Sequence, residues 1–394
     1  MTQIGFLAHD LSDPSVLRRI KMLRAGGATV KTAGFLRGEG GTVNPEIEPA
    51  LTLGRTHDAQ LAKRALSVLQ VMSTRMSALK DYFENIDVLI ARNLEMLCIG
   101  AALIRQMDRQ FGRRPRLVYE CLDIHRLLTD PGVSGGLIRR VEALAGREVD
   151  VVVTSSPAFV ENHLGKGIFS GRVALVENKV ATFDMNRPAP PLRTFPGGPW
   201  RIGWFGNLRC RRSLEMLKEL AKNANGEVEV ILRGRPSEAI FPDLDAELRD
   251  CPNIHFEGPY NGDQALAQIY REVHFAWCID YYEEDRNSRW LLPNRLYESA
   301  FHKTVPIALL HNETGQFLQR LRAGTLFADV DADLLLGFFL SLDPDDYAAR
   351  VARLDTVPRQ TWSTDVDECR QLVRTLAGRL PVAELPDRFV RYGT

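Results

Sequence analysis

Short runs of apolar residues alternate, along the first half of the chain, with segments in which apolar residues recur at helical spacing. Residues 4–8 are a continuous apolar run that ends in His9 and Asp10. In residues 16–23 the apolar positions follow the helical 3.6-residue period, behind a capping Asp13. A second apolar run follows the glycine pair that ends this helix, so the pattern predicts a strand–helix–strand opening. A GxGxxG pattern does not follow the first strand, which argues against a classical NAD site.

The same alternation continues to residue 185 and defines a first domain, residues 1–185. Residues 36–55 are rich in glycine, proline and glutamate and predict a loop. Strands that alternate with helices predict an α/β fold with a parallel sheet, whose ligands gather at the carboxyl ends of the strands. Further strands are predicted at 86–91, 117–120, 149–154 and 173–177, and helices at 58–83 and 94–111. Four polar residues follow predicted strand ends: His9, Asp10, Asp123 and His125.

A proline-rich segment separates the two halves of the chain. Residues 186–199 hold five prolines and two glycines, a composition typical of a linker. A second βα series follows in residues 200–375, so we expect the 394 residues to form two α/β domains. Its predicted strands lie at 200–205, 228–232, 254–256, 273–279 and 305–309, and a final helix is predicted at 365–380.

The stretch LLPNRLYESAFHKTVPI, residues 291–307, has features of a phosphate-binding segment. It predicts a loop, a helix opened by Pro293, and a short buried strand. Asn294 and Glu298 are four residues apart and share one helix face, near the partly positive end where phosphates are held. An ordinary amphipathic helix between two strands would have the same apolar spacing, so both interpretations stay open at this point.

The core of this stretch, PNRLYE, resembles the donor-binding signature of GT-B glycosyltransferases, in which a glutamate on this helix holds the ribose of a nucleotide sugar. Other segments fall where a GT-B transferase has a donor or acceptor loop: WFGNL with the arginines after it, ILRG, EGPY and YECLDIH. More narrowly, the chain is similar to bacterial exopolysaccharide glycosyltransferases that build succinoglycan or xanthan repeats on a lipid carrier. The resemblance implies two Rossmann-like domains with parallel sheets facing a central cleft. Residues 1–185 would bind the acceptor, residues 200–375 the nucleotide sugar, and a tail, 376–394, would cross back to the first domain.

The resemblance assigns the donor contacts to the second domain. Gly206 and Asn207 would form a turn that brings backbone N–H groups to the diphosphate, with Arg211 or Arg212 neutralising the leaving charge. The alternative for the two arginines is a solvated helix start, and the alternative for Tyr260 is a packed turn residue. The other expected donor contacts are Gly234 and Tyr260 at the base, Glu298 at the ribose, and Asn294 and Arg295 on the same helix.

The chain departs from the family pattern at two positions. Retaining members of glycosyltransferase family 4 usually have Glu and Arg where this chain has Trp290 and Asn207. The acidic run Glu283, Glu284 and Asp285 would take over sugar contacts, or else form a solvated loop.

An inverting transfer needs one general base that takes the proton of the acceptor hydroxyl. Asp123 is the first candidate, and His9 paired with Asp10 or Asp123 is the second. His125 would touch the donor sugar, as the histidine of a DxH segment does in similar enzymes. The alternative for each is structural, because a polar residue after a strand often caps the next helix.

Composition excludes several classes of function. The formal net charge is zero, with 24 basic and 20 acidic residues in 1–185 and 26 against 30 in the remainder. A basic stripe with interleaved aromatics is lacking, so we expect no nucleic-acid partner. Six scattered cysteines without zinc-like spacing predict a reduced, cytoplasmic protein and no metal site. We also expect neither a signal peptide nor a membrane-spanning segment.

The expected partners are a nucleotide-sugar donor and a saccharide or lipid-linked oligosaccharide acceptor. UDP is the commonest donor nucleotide in similar enzymes, which need no cofactor and generally no bound metal. Basic residues of the 58–83 helix and of the GRRPR turn, 112–116, would hold the first domain against the anionic inner membrane surface, unless they form a solvated face. Two other classes stay open: a sugar-nucleotide epimerase or hydrolase on the same fold, and a non-catalytic scaffold of a polysaccharide assembly complex.

Overall fold

The chain divides into two compact units in a computed structural model, which describes residues 1–381 apart from 39–40, 48, 57–60, 167–168, 170–171, 184–189, 192–193, 196 and 261. Unit 1 comprises Met1–Glu177, Ala181–Phe183 and the described residues from Thr364 on, and unit 2 comprises Asn178–Val180 and Asp184–Ser363. Parts of the predicted linker 186–199 and of the predicted helix 58–83 lie outside the described residues, as does the predicted tail from residue 382 on.

A seven-stranded parallel sheet forms the centre of unit 1. The strand order is β3-β2-β1-β4-β5-β6-β7. The order reverses at β1, which lies between β2 and β4, and in open α/β sheets ligands bind at the carboxyl ends of such a pair. The strands are β1 Thr2–Ala8, β2 Ala28–Arg37, β3 Ala50–Thr56, β4 Val88–Arg92, β5 Arg116–Cys121, β6 Val151–Thr154 and β7 Arg172–Leu175.

Helices connect these strands. The predicted helix 58–83 is two helices in the described residues, because the chain breaks at Arg75 between α2 and α3. The segment after β6 is a single α turn that continues into a π-helical turn, Val160–Leu164. The helices are α1 Pro14–Ala25, α2 Leu61–Thr74, α3 Met76–Tyr82, α4 Asn93–Phe111, α5 Val133–Gly146 and α6 Pro157–Phe159.

Residues 50–56 form strand β3, where the sequence predicted a loop over 36–55. The strand lies at the edge of the sheet and pairs with β2, with a register shift between Gly34 and Phe35. Edge strands have few fully buried positions, and only Leu53 of β3 is buried. The apolar run on which the other strand predictions depend is therefore missing here.

Unit 2 contains a six-stranded parallel sheet of order β11-β10-β9-β12-β13-β14. The order reverses at β9, between β10 and β12. The strands are β9 Trp200–Leu208, β10 Val228–Pro236, β11 Ile254–Phe256, β12 Phe275–Trp277, β13 Val305–Leu309 and β14 Thr325–Phe327. The helices are α7 Arg211–Asn223, α8 Leu244–Leu248, α9 Gly262–Arg271, α10 Asn287–Trp290, α11 Asn294–Phe301, α12 Glu313–Arg320, α13 Ala332–Ser341 and α14 Pro344–Thr356.

The last helix, α15 (Val366–Leu376), belongs to unit 1, although the sequence assigned residues up to 375 to the second domain. It packs on α1 so closely that a Cβ at Gly26 would lie 2.3 Å from the carbonyl oxygen of Cys369. The Arg116 side chain donates to the Leu376 carbonyl at 3.1 Å. Just before α15, strand β15 (Ser363–Thr364) pairs with β8 (Val180–Ala181). The chain thus returns to unit 1 at Thr364, earlier than the predicted tail at 376.

Candidate functional site

Glycines bring three backbone segments of unit 2 close together at the carboxyl edge of its sheet. The backbone angle φ is 107° at Gly206, 135° at Gly234 and 70° at Gly258, values that L side chains rarely adopt. Gly206 and Gly234 are register partners, and a Cβ at Gly234 would lie 1.8 Å from the Gly206 carbonyl oxygen. The Gly234 N–H donates to the Gly258 carbonyl at 2.9 Å. Glycine is therefore required at Gly234 on steric grounds.

The turn predicted at Gly206 and Asn207 is wrong, because β9 continues through both residues to Leu208, paired with β10. Gly206 and Gly234 are paired in the ladder, and they allow β9 and β10 to stay hydrogen-bonded beyond the buried core. A Cβ at Gly206 would meet no atom within 4 Å, so a ligand has room to approach this backbone. Asn207 is exposed at the same edge.

Tyr260 is half-buried on the turn after β11. Its ring meets the Phe205 ring edge to face, with the ring centroids 6.4 Å apart, and it packs against the core of unit 2. Tyr260 is therefore a packed turn residue, which is the alternative that the sequence left open.

Arg211 and Arg212 begin α7, as predicted, but each is held by a carboxylate. Arg211 pairs with Glu247 and its guanidinium lies 4.7 Å from the Phe241 ring centroid. Arg212 donates to both carboxylate oxygens of Glu284, at 3.0 and 2.9 Å. The two side chains thus have different carboxylate partners. Both arginines and Glu284 are exposed, as the solvated alternative requires, but each arginine is paired with a carboxylate.

A cluster of one carboxylate and two arginines lies where the strand order of unit 2 reverses. Asp280 follows β12, is nearly fully buried, and accepts a hydrogen bond from the Tyr282 N–H at 2.8 Å. Its Oδ2 lies 3.6 Å from the Arg209 side chain and 3.8 Å from that of Arg295. The Arg295 Nε atom is buried and has no hydrogen-bond partner among the described residues. This guanidinium therefore retains donor capacity for an anion.

Sequence reasoning named Arg295 but missed Arg209 and Asp280. Arg209 comes after β9 and Asp280 after β12, 71 positions later in the chain. Only the strand order shows that β9 and β12 are neighbours. A usable signal was the position of Asp280 directly after the predicted strand 273–279, which is the criterion that selected His9 and Asp123.

Helix α11 presents its predicted residues with one difference. Pro293 is the N-cap and not the first helical residue, so Asn294 begins the helix. Glu298 is only 4% exposed, and its Oε2 accepts a hydrogen bond from the Tyr270 hydroxyl at 3.2 Å. Burial, reinforced by the Glu298 charge, raises the pKa of Tyr270 well above its ordinary value, so the hydroxyl stays a donor.

In unit 1, His9 lies at the carboxyl end of β1, as predicted, but its carboxylate partner is Asp13. The Nε2 atom of His9 is 3.3 Å from Oδ2 of Asp13, which also caps α1 through the Ser15 N–H at 2.7 Å. Burial acts to raise the pKa of Asp13, but the hydrogen bond and charge of His9, with the charge of Arg92, hold it well below its usual range. The Nδ1 atom of His9 is buried and has no hydrogen-bond partner among the described residues.

The predicted pairing of His9 with Asp10 or Asp123 is therefore wrong. Asp10 is buried and accepts hydrogen bonds from the Ser12 N–H at 2.9 Å and the Ser12 hydroxyl at 2.7 Å. It fixes the loop between β1 and α1, because one side chain closes two local bonds. Asp10 thus has a structural role, which is the alternative to catalysis that the sequence left open.

Asp123 and His125 lie on the segment after β5. Asp123 is exposed, and its charge acts to raise the pKa of His125. Burial, followed by the charge of Arg64, outweighs this effect and lowers the His125 pKa. The Nδ1 atom of His125 accepts from the Leu127 N–H at 3.2 Å, so the histidine caps the 3₁₀ turn that follows. This capping contact defines the tautomer with the proton on Nε2 when the ring is neutral.

His9 also lines a pocket at the carboxyl edge of the unit 1 sheet. Arg64 of α2 forms an ion pair with Glu95 of α4 in its wall. Because β3 was not predicted, this pocket could not be inferred from the sequence. Its other lining residues are Phe35, Arg37, Thr56, Val68 and Met96.

A buried ionic triad holds the first helix beside this pocket. Glu120 of β5 accepts from Arg19 at 2.5 Å and from Arg92 at 2.6 Å, and all three side chains are almost fully buried. Arg92 also donates to the Ser15 hydroxyl at 2.8 Å, in the first turn of α1. Burial acts to raise the pKa of Glu120, but the charges of Arg92 and Arg19 lower it. The triad therefore anchors the helix that carries Asp13.

Within the part of the chain that the structure describes, no group of three or more His, Cys, Asp or Glu side chains is placed to hold a metal ion. The described helices include none that is both long enough and apolar enough to span a bilayer.

Comparison with solved structures shows the fold. HepE of Anabaena, solved with UDP and glucose, superposes with a TM-score of 0.69 over 96% of this chain and 100% of that chain, at 15% identity. Sucrose-phosphate synthase from Thermosynechococcus elongatus gives a TM-score of 0.66 over the same shares, at 14% identity. The chain has two parallel-sheet units and superposes on these structures. It therefore has the GT-B fold of glycosyltransferases, as the resemblance implied.

A closer relative exists by sequence. No family model matches the chain. The succinoglycan biosynthesis protein ExoL of Rhizobium meliloti (strain 1021) is 42% identical over 383 residues, which are 96% of this chain and 94% of ExoL. The chain belongs to the ExoL family of succinoglycan biosynthesis proteins.

Proposed function

We propose that this protein is a glycosyltransferase of bacterial polysaccharide synthesis, which moves a sugar from a UDP-sugar to a hydroxyl of a saccharide or lipid-linked saccharide. Membership of the ExoL family and the fold shared with HepE, which was solved with UDP-glucose, support this proposal. The single observation that carries it is the cluster at the reversal point of the unit 2 sheet. There, the close glycine backbones, the arginines around Asp280 and the start of α11 lie at one edge.

The donor would bind at this edge of unit 2. A nucleoside diphosphate carries its charge on oxygens that accept from backbone N–H groups and guanidinium groups. Arg295, with its unpartnered Nε, and Arg209 would neutralise the diphosphate as it leaves, while Asp280 holds both side chains in place. Glu298 would accept from the ribose hydroxyls, oriented by Tyr270. In this proposal the leaving charge is balanced by side chains, and the only small molecules required are donor and acceptor.

The proton of the acceptor hydroxyl would be taken in unit 1 by His9. The Nε2–H group of a neutral His9 donates to Asp13, which leaves Nδ1 as the nitrogen with a lone pair. A base held by a carboxylate behind it has the arrangement expected for general base catalysis. Asp123, the first candidate from the sequence, remains the alternative base, because it is exposed on the segment after β5.

Ligand-dependent thermal stability tests the donor site directly. Binding to the native state at 100 times Kd stabilises it by about 2.7 kcal/mol, so UDP should raise the melting temperature by several degrees, unlike CMP. Arg295→Gln should abolish the shift, whereas Arg289→Gln, at an exposed arginine of α10, should retain it. No shift with UDP, GDP or ADP for the folded wild type would sink the proposed donor class.

A non-catalytic scaffold is the second candidate, because Trp290 and Asn207 replace two residues usual in retaining enzymes. A scaffold would show the UDP shift without consuming UDP-glucose or another UDP-sugar in the presence of membrane-derived acceptor. An epimerase or hydrolase would consume the donor without any acceptor. Product analysis with and without acceptor therefore separates the three classes.

A further inference from the structure

Helix α5 of unit 1 turns its apolar side to solvent. Val133, Leu137, Val141 and Leu144 are between 40% and 93% exposed. On a helix with 3.6 residues per turn, these four positions fall within an arc of about 80°. Scattered exposed apolar residues are ordinary, but a continuous stripe of four on one helix indicates an interaction surface.

The opposite side of α5 explains why the stripe faces outward. Its buried residues are Gly135, Glu142, Ala145 and Gly146. The Glu142 carboxylate accepts from the Tyr119 hydroxyl at 3.2 Å and lies 2.8 Å from Nε2 of His163. A fully buried carboxylate with two polar partners fixes the rotation of the helix, because turning it would leave all three groups unsatisfied. The outward stripe is thus a fixed feature of the fold.

Arginines border the stripe. Arg140 and Arg147 are exposed on the same side of the helix, and neither has an ion-pair partner among the described residues. Glu142, the single acidic residue of α5, is buried and cannot neutralise them. An apolar stripe with a cationic border matches a surface that offers both acyl chains and negative headgroups.

A second helix of unit 1, α2, also exposes apolar residues. Leu66 and Leu69 of α2 are at least 60% exposed, and α2 and α5 both pack against α4. The cations named from the sequence contribute less, because several are paired internally. Arg64 pairs with Glu95, Arg113 with Asp87, and Arg114 with Asp150.

We propose that the α5 stripe is a docking surface for an anionic lipid bilayer, on which the helix lies in the interface with Leu137 and Leu144 inserted and with Arg140 and Arg147 at the headgroups. A twofold contact of α5 with a second copy fits less well. It would bring the arginines of both helices together without an exposed carboxylate on α5 to pair with them. The inference is independent of the proposed transferase activity.

Sedimentation with vesicles tests this surface on the full chain. Vesicles of phosphatidylglycerol and phosphatidylethanolamine should bind the protein at low salt, and phosphatidylcholine vesicles should bind it far less. Leu137→Gln with Leu144→Gln should lower the partition coefficient by at least about tenfold, since two apolar side chains leave the acyl region. The matched control, Leu334→Gln with Leu340→Gln, changes two exposed leucines of α13 and should bind like the wild type.

Two further measurements test the contribution of charge to vesicle binding and the competing possibility of self-association. Arg140→Gln with Arg147→Gln should weaken binding to anionic vesicles by about fivefold per arginine and reduce its salt dependence. The proposal would be overturned if the wild-type protein did not bind anionic vesicles, or if the leucine double variant bound them as strongly as the wild type. A lipid-free dimer in sedimentation velocity that only the α5 leucine variant abolishes would overturn it in favour of a second copy. An unchanged UDP melting shift in that variant would show that the donor site is intact.

Discussion

The Nε2 atom of His9 and the Oδ2 atom of Asp13, the N-cap of α1, lie 3.3 Å apart. This pair joins the end of strand β1 to the cap of the next helix, so that one carboxylate both caps the helix and orients the imidazole. Because the buried triad around Glu120 anchors the same helix turn through Arg92 and Ser15, the position of the imidazole depends on residues from β4 and β5.

Replacing His9 should separate chemistry from donor binding. His9→Gln removes the proposed base, and we expect the transfer rate to fall by about 10²–10⁴-fold. The UDP melting shift should persist, because the donor residues lie in unit 2. His311→Gln, at an exposed histidine, is the control. If Asp123→Asn abolishes transfer and His9→Gln does not, the base is Asp123.

The Asp13 carboxyl should make the free energy of unfolding depend on pH. Its pKa is depressed in the folded state, so its contribution is present above the ordinary carboxyl pKa of about 3.9 and is lost as the pH falls below it. Asp13→Asn keeps a capping oxygen but removes the charge, and should cost about 1 kcal/mol at pH 7, since the side chain is 28% exposed and screened. Urea unfolding at pH 7 and pH 3 measures this. A difference between wild type and variant that is equal at both pH values would refute the ionic contribution.

Gly234 should be the least replaceable glycine of the donor edge. Gly234→Ala places a Cβ 1.8 Å from the Gly206 carbonyl oxygen, so we expect a loss of about 3 kcal/mol or more and a weaker UDP shift. Gly258→Ala has a positive φ but no atom within 4 Å of its Cβ, and should cost about 1–2 kcal/mol. Equal destabilisation by the two substitutions would contradict the close approach of β9 and β10.

The buried triad of unit 1 should be sensitive to loss of its single carboxylate. Glu120→Gln leaves Arg19 and Arg92 without a counter-charge in a buried setting, and we expect a loss of about 3–5 kcal/mol. Glu46→Gln, which breaks the exposed pair with Lys21, should cost less than about 1 kcal/mol. Thermal or urea unfolding of both variants provides the comparison, and a Glu120→Gln protein as stable as Glu46→Gln would show that the triad adds no stability.

Strands in the middle of the two sheets are predicted from the sequence as continuous apolar runs. The run at residues 4–8 lies within β1, and the run at 305–309 is β13, because strands in the middle of a parallel sheet need apolar residues at nearly every position. Edge strand β3 lacks that signal. Helix α15 carried the right periodicity, but periodicity does not tell which sheet a helix covers.

Only some residues of the candidate functional site were predicted from the sequence. Position after a strand is readable in the sequence and selected His9, Asp10 and Asp123. The direction of a side chain within a loop is not readable, so Asp10 was expected to do what Asp13 does. Arg209 and Asp280 meet because β9 and β12 are neighbours, and strand order is a property of the folded sheet.

The return of the chain to unit 1 at Thr364 affects the order in which the protein is completed on the ribosome. Unit 2 is nearly continuous in the chain and can form once residue 363 has left the exit tunnel. Unit 1 begins first but must wait for α15, whose Val373 and Leu376 join the core around Ile20. During most of its synthesis the nascent protein therefore carries a first domain with one apolar face of α1 uncovered. Chain termination before residue 366 would leave that face exposed permanently, even though every proposed catalytic residue had been made.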